Sequence, residues 1–362
     1  MYDVFGSLRA IIKLDSTCTD NNVFRLHYKA TVILLVAFSL IVTSRQYIGD
    51  PISCIQKEVP ESVINTFCWI HATFSVPKYF DKIVGEEVVY PGVGPQPKKY
   101  EGPEDRIYHK YYQWVCFVLF FQAALFYMPR YLWKTWEGGR LKALVVELNV
   151  PVVSDEAKDK RKNMLVDYVI THMHSHTLYA IAFFVCELLN FVNVVAQIYF
   201  VDKFLGGEFT TYGPEVIKFT EMDQEDRVDP MIKVFPRLTK CTFHKFGPSG
   251  DVQRHDALCV LPLNIVNEKI YVFMWFWFVL LALVSGLGLL YRLVTIAWPK
   301  SRFYLLRSRC RLAPPDYVEV VVRKAKLGDW FLLYLLGKNI DTFIFKELLT
   351  DLARKIEGKE LV

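Results

Sequence analysis

No Asn-x-Ser/Thr acceptor occurs anywhere in the 362 residues, so neither of the two long loops described below can carry an N-linked glycan. The chain also lacks a phosphate-binding glycine loop, a nucleophile elbow, a zinc-protease motif and the histidine boxes of a membrane oxygenase. These absences exclude the enzyme classes whose chemistry depends on such constellations. The first 22 residues, MYDVFGSLRAIIKLDSTCTDNN, have no basic start and no long apolar core. They do not read as a cleavable signal, and the first apolar stretch is expected to act as its own insertion signal. Most telling is a local absence of charge: IYVFMWFWFVLLALVSGLGLLY, residues 270–291, contains no ionisable group except tyrosine. A helix on the surface of a soluble core would keep a polar face, and this one has none.

What is present is segregated. Hydrophobic residues make up 52% of the chain and charged residues 22%, a mixture that requires apolar blocks alternating with water-soluble ones. Crossing the hydrocarbon takes about 20 apolar residues at about 1.5 Å each. Four stretches qualify: 23–47, 111–133, 178–201 and 270–292. In the first, Lys29 and Arg45 flank an uncharged run and would snorkel to the two interfaces. The second opens with Tyr111, Tyr112 and Trp114 and closes with Tyr131 and Trp133, amphipathic rings suited to the headgroup layer. Pro129 reads as lying in its last turn, where a proline is tolerated.

The expected organisation is an N-terminal segment 1–22, the four spans, two outer loops at 48–110 and 202–269, an inner loop at 134–177 and a C-terminal helical region at 293–362. Lys and Arg near the span ends are more numerous on the side that holds both termini, which places the termini in the cytoplasm. The cysteines agree. Cys54 and Cys68 fall in one outer loop and Cys241 and Cys259 in the other, as an oxidising compartment favours, while Cys18, Cys116, Cys186 and Cys310 fall in spans or on the inner side.

Four cysteines allow three pairings. Cys54 lies 7 residues beyond Tyr47 and Cys259 lies 11 before Ile270; Cys68 is 43 short of Tyr111 and Cys241 is 40 beyond Val201. If the first and fourth spans are neighbours, these matched distances favour Cys54 with Cys259 and Cys68 with Cys241, bridges that would weld both loops into one cap. Two alternatives stand beside it: pairing within each loop, and a tetrahedral zinc site from Cys241, His244, His255 and Cys259. VFPRLTKCTFHKF, the turn GPSG at 247–250 and the return LCVLPL read as a β-hairpin, so the cap is expected to contain strands.

In the third span Glu187, Asn190, Asn193 and Gln197 recur at helical spacing and form one polar stripe. Such residues face the interior of a bundle, bonded to other helices of the subunit or exposed to an ion path. His172, His174 and His176 alternate in what reads as a solvated helix and would not share a face, so no metal site is assigned to them. The cluster Arg302 to Arg311 reads as a membrane-proximal basic signal rather than a nucleic-acid site. The N-terminal segment is amphipathic, with Val4, Phe5, Leu8, Ile11 and Ile12 on one face, and too short to span.

The stretch Tyr111, Tyr112, Gln113, Trp114, Val115 resembles the signature of innexins, the invertebrate gap-junction proteins. PISC at 51–54, NTFCWI at 65–70, KCTFHKFGPSG at 240–250 and LCVLPLNIVNEK at 258–269 resemble the same family, its insect members above all. Connexins place three cysteines in each outer loop where this sequence has two, and pannexins lack YYQWV. The resemblance implies an all-α membrane protein, a four-helix bundle with a disulfide-linked extracellular cap and a helical cytoplasmic region. It implies subunits assembling into a ring, expected to be of eight, which docks with the ring of an apposed cell, homomeric or mixed with other innexins. The implied activity is passive passage of ions and small solutes through a gap junction of the plasma membrane, also through undocked hemichannels, with no cofactor and lipid as the surrounding partner. The N-terminal segment would turn into the pore, with Tyr2, Asp3 and Phe5 at its narrowest part. The competing reading is a four-span adhesion or scaffold protein of tetraspanin or claudin type, but those have one large and one small outer loop, whereas here both are long.

Overall fold

The computed structural model describes residues 17–95, 106–146, 148, 155–221 and 230–360. Tyr2, Asp3, Phe5 and the amphipathic segment around them lie outside the described residues. The chain is divided between two compact units, and the division falls inside each of its four longest helices.

One unit comprises Val32–Ala124 and Val194–Leu280. It holds a five-stranded antiparallel sheet of strands β1 (Ser53–Ile55), β2 (Thr73–Ser75), β3 (Ile107–His109), β4 (Leu238–Phe246) and β5 (Val252–Val260), in the order β1-β5-β4-β2-β3. The sheet therefore interleaves strands from two segments far apart in sequence. β4 and β5 form the hairpin expected from the sequence. It is closed at residues 247–250, where Gly250 takes φ +86°, a left-handed conformation open to glycine at little cost. Helix α2 (Glu61–His71) packs on β1 and β4, with Ile64 and Cys68 buried in the same cluster as Cys54, Cys241 and Cys259.

The other unit comprises Met1–Thr31, Leu125–Asn193 and Leu281–Val362. Its core is large and apolar, built around Trp133, Phe183, Trp330, Phe331, Leu348 and Leu352. Short helices α4 (Arg140–Val145) and α5 (Asp155–Thr171) come from the middle of the chain, and α10 (Pro299–Arg309), α11 (Pro315–Lys324), α12 (Leu327–Asn339) and α13 (Thr342–Glu360) follow the last long helix. α13 packs on α5 and α11. At 13 residues α12 is apolar almost all round yet only about 20 Å long, too short to span, and it is the element buried deepest in this core. The Trp330 indole N–H donates to the Arg302 carbonyl at 2.9 Å, tying α12 to α10.

The long helices are α1 (Asn22–Ile48), α3 (Val115–Glu137), α6 (Thr177–Phe204) and α9 (Pro262–Ala297), each long and apolar enough to cross a membrane. Between them, α7 (Phe209–Glu221) and α8 (Pro230–Val234) precede β4. Asn21 caps α1, its side-chain oxygen accepting from the Phe24 N–H at 2.7 Å. Residues Leu26–Thr31 of α1 are wound as a π-helix. Leu283, Leu287, Leu290 and Val294 of α9 stay exposed on the single chain, as a surface facing lipid or neighbouring subunits requires.

Two expectations are corrected. Pro129 is not in a last turn, for α3 continues through it to Glu137. The residues beyond the proline hold the helix together: Trp133 is fully buried, and the Arg130 guanidinium pairs with Asp20 at 3.2 Å. The three histidines are not on a helix either. α5 ends at Thr171 and α6 begins at Thr177, leaving His172, His174 and His176 in the junction between them.

Asp329 of α12 organises that junction, accepting from the His174 N–H at 2.9 Å and contacting His176 Nδ1 at 3.0 Å. Burial opposes its charged form, but hydrogen bonds from His176 and from the His174 and Lys326 N–H groups prevail and hold its pKa below the ordinary carboxylate value. Gly328 precedes it against the same turn. A Cβ at Gly328 would lie 2.3 Å from the backbone carbon and oxygen of His176, atoms that cannot swing aside. Gly328→Ala is therefore expected to cost about 1–3 kcal/mol and lower the thermal midpoint of the purified protein by several degrees, whereas Gly358→Ala, with open space around it, is expected to leave it unchanged.

Candidate functional site

Two disulfides hold the sheet unit. Cys54 on β1 and Cys259 on β5 stand directly opposite in the ladder, with Cα atoms 4.0 Å apart, and are bonded to each other. Cys68 on α2 is bonded to Cys241 on β4 across a Cα separation of 5.9 Å. Both bonds run between the segment that follows α1 and the segment that precedes α9, and all four sulfurs belong to one buried cluster. Three of them, Cys54, Cys68 and Cys259, lie close enough to bring ligand atoms within 4.8 Å of one another. As disulfide sulfurs, however, they are not thiolates available to a metal. The set Cys241, His244, His255 and Cys259 does not converge. Phe243 is opposite His255 and His244 opposite Arg254, so strand alternation puts His244 on the other face from the remaining three.

The Tyr111–Val115 segment joins β3 to α3. Tyr111–Gln113 form a 3₁₀ turn, closed by the Trp114 N–H donating to the Tyr111 carbonyl at 2.9 Å, and the α-helix starts at Val115. Each side chain does something different. The Tyr112 ring is fully buried and packs 4.7 Å from Trp69, and its hydroxyl lies 3.5 Å from the Cys68 carbonyl. The Tyr111 ring meets Phe235 edge-on at 5.5 Å, and Gln113 donates to the Trp69 carbonyl. Val115 is buried, and Trp114 alone points outward, 60% exposed. Tyr112 and Gln113 thus brace α2 against the top of α3, Tyr111 packs on Phe235, and Trp114 is placed as an interfacial anchor would be.

His109 closes the other side of this junction. It stands opposite Thr73, is 4% exposed, and its Nε2 lies 3.0 Å from Ser75 Oγ. Burial penalises the imidazolium and lowers its pKa to about 4. The unfolded chain titrates near its ordinary value of 6.5 and so binds more protons than the folded one between those two pH values. Stability is full above pH 6.5 and falls as the pH drops toward about 4, by roughly 3 kcal/mol over the window. A melt of wild type against His109→Asn between pH 7 and pH 4.5 checks this: the acid-induced drop is expected to shrink in the variant.

The polar stripe of α6 is engaged at both ends inside the chain. Glu187 receives two parallel bonds from Arg292 of α9, Nε and Nη2 each at 2.7 Å, and a third from Asn21 Nδ2 at 2.6 Å. The Arg292 guanidinium also lies 4.7 Å from the Phe184 ring centre and 5.7 Å from that of Phe331. Gln197 Oε1 accepts from the Gln122 Nε2 amide of α3 at 3.0 Å. Asn190 is buried, and Asn193 is half-buried.

Sequence reasoning missed the partners of these residues. Arg292 sat at the edge of an apolar run and read only as the end of a span. Asp20 was unremarked, yet its buried carboxylate gathers Arg25 at 2.7 Å, Arg130 at 3.2 Å and the Tyr28 hydroxyl at 2.8 Å. The available signal was a single acidic residue followed five positions later by an arginine at the start of an apolar run, too common a pattern to single out.

Comparison with known proteins agrees with this architecture along the whole chain. The family model described as Innexin matches residues 20–356. The chain is 64% identical to Innexin inx2 of Schistocerca americana over 362 residues, covering all of both chains. It is 63% identical to Innexin inx2 of Drosophila melanogaster over 360 residues, 99% of this chain and 97% of that one. It is 51% identical to Innexin shaking-B of Drosophila melanogaster over 357 residues, 98% and 95% of the two chains.

Proposed function

The chain belongs to the innexin family and is a gap-junction channel subunit, a multi-pass protein of the plasma membrane, and from that premise we propose how the channel is made. Eight copies form a ring with both termini in the cytoplasm, so that the disulfide-tied sheet unit faces the extracellular gap. Two rings from apposed cells dock through these units, and undocked rings act as hemichannels. Ions and small solutes pass down a water-filled lumen, and its width and lining charges set selectivity without any chemical step. Tyr2, Asp3 and Phe5 line the narrowest part. The domain limits are those expected from the sequence, with 48–110 and 202–269 outside and 134–177 and 293–362 inside.

One observation carries this reading. Both disulfides join the two loop segments to each other rather than closing either on itself, so each subunit presents one rigid face. A rigid face is what repeated docking in a fixed register needs, because little conformational entropy is left to lose on contact. Engagement of Glu187 and Gln197 within the chain supports a lumen lined elsewhere than by this stripe.

The test is electrical. Paired cells expressing only this protein are expected to develop junctional current, and surface labelling with adhesion but no current would favour the scaffold reading. Asp3→Asn is expected to alter cation over anion preference, and unchanged selectivity would remove Asp3 from the constriction. Imaging the purified particle in detergent counts the subunits.

A further inference from the structure

A small cavity lies beside the π-helical turn of α1, lined by Asn21, His27, Glu187, Asn190, Ser285 and Gly288 among others. His27 is fully buried and Asn190 is 3% exposed, and two of their polar atoms, His27 Nδ1 and Asn190 Nδ2, have no hydrogen-bond partner among the described residues. Unmet polar atoms at this depth are costly, and a native structure rarely leaves two on residues that line one cavity.

The chemistry of each atom can be assigned. Ser285 Oγ lies 2.6 Å from the Leu281 carbonyl oxygen, and two oxygens that close need the serine proton between them. That proton is therefore committed, and Ser285 Oγ can only accept at its second contact, 2.7 Å from His27 Nε2. The Nε2 must then carry hydrogen. Neutral His27 is consequently the Nε2–H tautomer, with a bare lone pair on Nδ1. Asn190 Nδ2, by contrast, is a donor. The cavity thus offers one unmet acceptor and one unmet donor, and nothing among the described residues links them.

We propose that this cavity holds one structural water molecule, which donates to His27 Nδ1 and accepts from Asn190 Nδ2. The cavity volume of about 20 Å³ exceeds the roughly 10–15 Å³ needed for a single water. A carboxylate-bound cation is the wrong occupant, since both oxygens of Glu187 are already taken by Arg292 and Asn21. The water completes a polar chain, Ser285 to His27 to water to Asn190, that fastens α9, α1 and α6 together. Its place at the π turn has a local reason. The wider winding shifts the backbone register, and the Thr31 hydroxyl serves the Leu26 carbonyl at 2.9 Å while His27 is turned into the bundle. Free space remains beside Gly288, where even a Cβ would come no nearer than 3.9 Å to Val23.

Two measurements on the full-length protein in detergent or nanodisc decide it. A density map resolving ordered solvent is expected to show one peak within about 2.6–3.2 Å of both His27 Nδ1 and Asn190 Nδ2. An empty cavity, or a peak with ion-like contacts to several oxygens, overturns the proposal. The second is a thermal double-mutant cycle with His27→Leu and Asn190→Leu. These side chains do not bond each other directly, so a shared water predicts that the double variant loses clearly less than the sum of the two single losses in melting temperature. Strictly additive losses overturn it. Should a single variant fail to fold, Asn190→Ser, which keeps a donor, serves in its place and is expected to retain most of the wild-type midpoint.

Discussion

Cells paired through a Cys68→Ala variant are expected to show no junctional current, and the purified variant to melt well below wild type. The Cys68–Cys241 bond is nested inside the loop already closed by Cys54–Cys259. The ring it closes is therefore about 30 residues rather than the 173 that separate the two cysteines, and chain entropy assigns such a ring about 4 kcal/mol. Besides the burial of Ile64 in the shared cluster, α2 is tied to the sheet by Asn65 Oδ1, accepting from the Cys54 N–H at 2.7 Å, and by the edge-on contact of Phe67 with Phe243 at 4.8 Å. The variant also leaves Cys241 as a buried thiol, 1% exposed, beside an intact disulfide that it can attack. A double variant, Cys68→Ala with Cys241→Ala, removes that exchange and is expected to recover surface expression but not full stability. Junctional recording, with the melting midpoint measured by tryptophan fluorescence, reads both effects. A single variant that melts at the wild-type temperature would show that the helix is held by its packing alone.

Arg292→Met is expected to destabilise the protein by about 3–5 kcal/mol, the range for stranding one partner of a buried ion pair. Glu187 is shielded at 11% side-chain exposure, and without Arg292 its remaining bond among the described residues is from Asn21. The methionine keeps much of the contact with Phe183, Phe184 and Phe331, so the loss reports charge more than volume. Adding Glu187→Gln to Arg292→Met removes the uncompensated charge, and the double variant is expected to be more stable than the single one. Expression of monodisperse particles and their melting midpoints check the ordering. A double variant worse than Arg292→Met alone would mean that the charges themselves, not their balance, hold α6 to α9.

Much of the fold was legible in one dimension because a bilayer imposes a one-dimensional rule. A run without charge, long enough to cross, must be a helix in hydrocarbon, and 270–291 satisfies that rule without reference to any other residue. The β-hairpin was legible for a similar reason: alternation in TKCTFHKF and the glycines at 247 and 250 specify strand and turn locally. The histidine junction was not legible. His172, His174 and His176 follow a good helical pattern, and the helix stops at Thr171 because Asp329, more than 150 residues away, captures the His174 N–H outside it. Pro129 was misplaced for a related reason: a proline's local preference to end a helix is outweighed by Trp133 and Arg130, whose partners lie in other segments.

By itself, the sequence determined the number of long apolar helices, the strand-forming loops between them, the absence of glycan acceptors and the family, since each follows from composition or pattern along the chain. The tertiary structure alone decided what the polar residues inside those helices do: Glu187 with Arg292, Gln197 with Gln122, Asp20 with Arg25 and Arg130, His27 with Ser285. Apolar periodicity is a property of one segment read against a uniform solvent. A buried charge or amide is satisfied only by a particular atom at hydrogen-bond distance, and which atom arrives there depends on how distant segments pack.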